Sequence, residues 1–210
     1  MIYKLSLKEV LTLAKMLVYG YGIIFLVFFT YILAQKLFPH SLQSVQDISQ
    51  PYLTEIGPSN LYLKFLLTVF YAPVMEELVF RSGISSERKY IMVMLAALAI
   101  YSVTPLTQGN FIFVILLCIY PILQIVLFKF LSHNKYYFLT STIFSALLFA
   151  ALHYNNFNHD IMKNLFSYII MLSPLAILGF FLGRIRTKLG LVYAILGHII
   201  INLIGFTSSV

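Results

Sequence analysis

The sequence predicts an all-α fold, a polytopic integral membrane bundle of about seven transmembrane helices. Three observations predict it. First, 60% of the 210 residues are hydrophobic and only 10% are charged, too few polar groups to clothe a soluble core. Second, apolar stretches of roughly 20 residues recur along the chain, the length a helix needs to cross hydrocarbon with its own backbone bonds satisfied. Third, the basic residues fall mostly between those stretches and alternate in abundance from one side to the other. The composition also excludes a disordered chain, a collagen, a coiled coil and a disulfide scaffold. Cys118 is the one cysteine, so no intrachain disulfide is available, and it reads as a small buried hydrophobe.

In chain order, residues 1–15 place Lys4, Lys8, Glu9 and Lys15 among Leu and Val and read as an interfacial amphipathic segment. No small-residue cleavage site follows, so the first span is expected to stay as an anchor. Spans are expected near 16–35, 60–82, 90–107, 111–132, 137–154, 165–183 and 190–207. Residues 36–59, with Pro39, Pro51, Gly57 and Pro58, form the one long polar loop. Together 16–207 read as a single bundle without internal repeats.

The formal charge of +7 is carried by membrane-flanking residues, which orient the helices and meet anionic headgroups, so it does not indicate a nucleic-acid partner. Lys4, Lys8 and Lys15, then Arg81, Arg88 and Lys89, then Lys129 and Lys135, then Arg184, Arg186 and Lys188 mark one side, against Lys36, Lys64 and Lys163 on the other. Positive-inside counting then places the N-terminus in the cytoplasm and the C-terminus outside, in a bacterial-type cell membrane.

Several polar residues sit where hydrocarbon makes them costly, at about 2.5–3.5 kcal/mol per carboxylate. Glu76 and Glu77 are adjacent inside one apolar run. Glu77 and Arg81 are four apart and can pair on one helix face, whereas Glu76 points about 100° away and is left able to exchange protons. Pro73, just before them, removes a backbone donor and predicts a kink and a cavity. Phe149 and His153 share a face of the fifth span, as do His198 and Asn202 in the seventh. Taken singly, each pair also suits interhelical packing. His40, His133 and His159 read as solvated loop histidines.

An acid, two imidazoles and a carboxamide on three membrane helices are sufficient to hydrolyse an amide. Glu76 and His153 can polarise one water, and His198 and Asn202 can donate to the oxygen that turns negative. There is no Gly-x-Ser-x-Gly setting, no polar neighbour for Cys118 and no glycine-rich phosphate loop. Counting residues puts Glu76 about 9 Å from its helix end and His153 more than 20 Å from its own. Straight parallel helices do not bring these two to one depth.

Glu76-Glu77-x-x-Phe80-Arg81, Phe149-x-x-x-His153 and His198-x-x-x-Asn202, in that order and each on an apolar helix, resemble the three motifs of the CPBP family. This is the group of CAAX-processing and bacteriocin-processing (Abi) intramembrane proteases, related to the type II CAAX prenyl endopeptidase. The resemblance runs from Glu76 to Asn202, and the first 60 residues carry none of it. It implies a glutamate-dependent endopeptidase in which Glu76 and His153 activate water and His198 and Asn202 form the oxyanion site. Glu77, Phe80, Arg81 and Phe149 would support that site. It implies no cofactor; in a zinc variant of the chemistry Glu76, His153 and His198 would be the ligands. The implied partners are the bilayer and a peptide or membrane-protein substrate, such as a CAAX-type, bacteriocin or pheromone precursor, with self-immunity a related role. Ser82 stands where the family usually has glycine, and an apolar hairpin at 90–132 lengthens the spacing between the first two motifs. A scaffold that binds a partner in the same cleft, or a proton-coupled transporter, would use the same buried groups.

Overall fold

Seven helices, with no strand among the described residues, form the computed structural model: α1 (Leu7–Leu37), α2 (61–80), α3 (Arg88–Tyr101), α4 (Phe111–Leu131), α5 (Tyr137–Leu152), α6 (Leu165–Leu189) and α7 (Leu191–Ser209). The structure describes residues 6–37, 60–85, 87–103, 105, 111–156 and 165–209. Most of the predicted polar loop at 36–59, with His40, lies outside them, as do His159 and residues 1–5 of the expected interfacial segment.

The start of α1 is written in the sequence. Ser6 and Glu9 form a capping box: the Ser6 amide donates to the Glu9 carboxylate (3.0 Å) and the Glu9 amide to Ser6 Oγ (3.3 Å). The helix then runs unbroken for 31 residues, so 7–15 are continuous with the first predicted span. Only Leu13, Gly20 and Tyr31 of α1 are buried; most of its surface is exposed and apolar.

By length and composition two helices suffice to cross a membrane, Leu7–Leu37 and Phe113–Leu131. The other predicted spans come out shorter, interrupted or charged. The helix expected over 90–107 is described as 14 residues, that over 137–154 as 16, and α6 ends on Arg184, Arg186 and Lys188. Cys118, expected to be buried, is exposed. The buried stripe of α4 is Leu117, Tyr120, Pro121 and Gln124, and Cys118 lies off that face.

α2 is not a regular helix. An α-helical turn, Leu61–Phe65, passes into a π segment, Leu66–Tyr71, and then into a second α-helical stretch, Ala72–Phe80. Pro73 explains the break, because it has no N–H to give to the carbonyl one turn before. With i→i+5 bonding the Ala72 amide reaches the Leu67 carbonyl, and the missing proline donor falls on Thr68. Asn202 of α7 fills the gap: its side-chain nitrogen donates to the Thr68 carbonyl at 2.9 Å.

α2 ends inside the protein, and its last carbonyls must find partners there. Ser145 Oγ donates to the Phe80 carbonyl at 2.7 Å, and the Tyr120 hydroxyl donates to the same oxygen. Arg186 Nε donates to the Arg81 carbonyl (3.2 Å) and the Tyr137 hydroxyl to that of Ser85 (2.9 Å). Residues 81–85 are all buried, so this turn is part of the core.

The same bonds set the register of α5 against α2. Tyr137 meets Ser85, Ser145 meets Phe80, and the Phe149 ring packs edge-on to that of Phe80 (centroids 5.7 Å). The two chains run antiparallel. Because the buried turn 81–85 prolongs α2 inward, Glu76 lies deeper than a count from its helix end implies. Ser145 is already about 12 Å along α5 from Tyr137 where it meets Phe80, and Glu76 lies about 6 Å further on. This register narrows the depth gap to His153.

α6 occupies the centre, with α1, α5 and α7 against it, while α2 packs between α3 and α7. Gly179 and Gly183, one turn apart on α6, let α5 come close. A Cβ at Gly179 would lie 3.0 Å from the Ala146 Cα and 3.2 Å from an Arg81 nitrogen. The 90–132 hairpin is not peripheral: Met94, Leu117 and Tyr120 are fully buried in one cluster with Phe80 and Phe149.

Candidate active site

Two helices supply the acids and the base that lie in direct contact. Adjacent residues on a helix diverge by about 100°, yet Glu76 and Glu77 both reach His198 of α7, which sits across the angle between them. His198 Nδ1 lies 3.0 Å from Glu77 Oε1, and Nε2 lies 3.6 Å from Glu76 Oε2. All three are buried: Glu77 is 0% exposed, His198 2% and Glu76 8%.

Glu77 has a second partner, Arg81, one turn along the same face at 3.6 Å. Both side chains are fully buried, so the pair is held by geometry. Arg81 Nη1 donates to Ser145 Oγ (2.9 Å), and the guanidinium lies over the Phe149 ring at 4.8 Å. A continuous series of contacts runs Arg81–Glu77–His198–Glu76. Beyond it the Tyr101 hydroxyl of α3 lies 3.5 Å from Glu76 Oε1.

Phe149 is the hub. Its ring contacts that of His198 edge-on at 5.8 Å and that of His153 at 4.5 Å, as well as Phe80 and Arg81. His153 closes α5 and opens a 3₁₀ turn, His153–Asn156. Its amide bonds to Ala150 and Ala151, which leaves the Phe149 carbonyl without its usual amide. The His153 ring takes that place, with Nδ1 2.7 Å from the Phe149 oxygen. A carbonyl only accepts, so Nδ1 carries the hydrogen, and in the neutral ring Nε2 keeps its lone pair.

The structure thus brings Glu76, Glu77, Arg81, Phe80, Phe149 and His198 into one buried cluster. His153 joins through the Phe149 ring. Asn202 lies one turn beyond His198, with its amide nitrogen on Thr68. Sequence reasoning missed Tyr101, Ser145, Tyr120 and Thr68. Ser145 was findable, since it lies one turn before Phe149 on the motif face; Tyr101 gives no signal in the sequence, because its reach to Glu76 depends on how the hairpin packs.

Among the described residues no three His, Cys, Asp or Glu side chains are grouped to hold a metal ion. Both nitrogens of His198 face carboxylates, and its Nδ1 is engaged by Glu77.

A family model described as Rce1-like, the type II CAAX prenyl endopeptidases, matches residues 58–204, more than half of the chain and all three motifs. No curated protein and no solved structure matches.

Proposed function

Since the chain belongs to the Rce1-like type II CAAX prenyl endopeptidase family, whose members are membrane-embedded proteases, we propose that it cleaves a peptide bond with a water activated by Glu76, without a metal. The observation that carries this reading is the clamp of Glu76 and Glu77 on His198, all three buried. Two adjacent acids receive unlike tasks. Glu77, tied to Arg81, stays as the counter-ion that orients His198. Glu76 faces the working nitrogen and is free to move a proton.

In the proposed reaction Glu76, assisted by Nε2 of His153, takes a proton from water. The hydroxide oxygen bonds to the scissile carbonyl carbon and the carbonyl oxygen becomes negative. His198, its Nδ1 held by Glu77, donates through Nε2 to that oxygen. Asn202 adds its second amide hydrogen, the first being spent on Thr68. The C–N bond then breaks, and the leaving nitrogen receives the proton from Glu76. Removing one oxyanion donor of this kind typically costs about 10²–10³ in kcat.

The substrate is proposed to be a peptide or membrane-proximal segment, either CAAX-type or a bacteriocin or pheromone precursor. The active-site end is proposed to face the cytoplasm, where the basic flanks gather. The test is purified protein in liposomes incubated with a farnesylated CAAX peptide and with its unprenylated counterpart, products being read by mass spectrometry. Release of the C-terminal tripeptide from either supports the proposal. No cleavage of these or of precursor peptides, with the protein folded, would contradict it.

A further inference from the structure

One groove lies away from the catalytic cluster, between α1 and α6. Its mouth has a volume of about 350 Å³ and is rimmed by Thr12, Lys15, Arg184 and Lys188. Among the described residues no acidic side chain pairs with any of these three cations. Glu9, the acid nearest along α1, is taken up by Ser6 and by the Tyr193 hydroxyl (2.8 Å).

The mouth leads into a trough. Phe180 and Phe181 line both, and beyond them a second cavity of about 340 Å³ is walled by Ile23, Leu147, Ala176 and Ile177. α1 and α6 run antiparallel here, so Lys15 is level with Arg184 while Ile23 is level with Ile177. Phe181 is seated by Gly20, where a Cβ would lie 3.3 Å from its ring. From Lys188 to Ala176 the groove follows about 18 Å of helix, close to the ~15 Å of hydrocarbon in one leaflet.

Three unpaired cations at one end, and an apolar channel of leaflet depth behind them, form the outline of a single lipid. We propose that this groove is a binding site for one anionic phospholipid. Its phosphate is held by Lys15, Arg184 and Lys188, and one acyl chain lies against Phe180 and Phe181. The bound chain fills the gap beside the α5–α6 contact and braces α5, which carries Ser145 and Phe149, against α6.

The test is native mass spectrometry of the protein in nonionic detergent, titrated with phosphatidylglycerol or with phosphatidylcholine of the same acyl chains. One phosphatidylglycerol should be retained per chain, in clear preference to phosphatidylcholine. Lys15→Gln/Arg184→Gln/Lys188→Gln should weaken retention about a hundredfold, at about fivefold per cation. Ala176→Phe, which fills the trough and changes no charge, should weaken it as well, and millimolar inorganic phosphate should not displace the lipid. Equal retention of the two lipids by the wild type overturns the proposal, whatever the variants do. So does displacement by phosphate with Ala176→Phe binding as wild type, which would make the mouth a site for free phosphate.

Discussion

Glu77→Gln isolates the electrostatic core of the site from its shape. Glutamine has the size of glutamate, so no cavity opens, and its amide oxygen can still accept from His198. What changes is the charge beside Arg81. Both side chains are 0% exposed and 3.6 Å apart, and the other partners of the guanidinium, Ser145 Oγ and the Phe149 face, are neutral. Breaking a buried pair by neutralising one member strands the other charge and costs about 3–5 kcal/mol. For a chain of this size each kcal/mol lowers Tm by about 2–4 °C, so the variant should melt about 10 °C below wild type. Thermal unfolding of purified protein in detergent, followed by circular dichroism, reads this directly. Arg81→Met in the same background removes the stranded charge and should recover most of the loss. Glu77→Gln melting with wild type, or a double variant less stable than the single one, would refute the reasoning.

Three further outcomes follow from the geometry. Asn202→Ala leaves the Thr68 carbonyl unpaired and should cost about 1–3 kcal/mol. Pro73→Ala restores an N–H for that region, so Asn202→Ala should cost about 1 kcal/mol less in the Pro73→Ala background, as a double-mutant cycle would show. Gly179→Val forces a branched side chain against the Ala146 backbone and Arg81, so it should lower both Tm and activity, the stability loss being about 1–3 kcal/mol or more. His198→Ala removes a donor from the developing oxyanion and should cut kcat by about 10²–10³ while substrate binding persists, which steady-state kinetics separates.

Much of this arrangement could be read from the sequence because buried polar residues are expensive. Glu76, Glu77, His153, His198 and Asn202 stand out in apolar runs, and helical spacing alone pairs Glu77 with Arg81 and Phe149 with His153. Their mutual contacts could not be read, since these depend on helix register. Nothing in the local sequence says that His198 falls between the two acids, or that α2 turns inward over 81–85. Pro73 announced a kink, but the π segment and its repair by Asn202 involve a residue 134 positions from Thr68. The Gly179-x-x-x-Gly183 spacing was on view, but its meaning depended on Ala146 and Thr142 lying opposite. Of the seven expected spans two pass by length and composition alone, while α2 is interrupted by a proline and carries two buried acids and α3 is described as a helix to Tyr101.

The claim on which the rest turns is that Glu76 activates the attacking water. Cleavage of a peptide substrate in H₂¹⁸O by wild-type and Glu76→Gln protein, both with matched unfolding curves, measures it most directly. The account predicts one ¹⁸O in the new carboxylate from wild type and no product from Glu76→Gln. Cleavage by Glu76→Gln at the wild-type rate would contradict it.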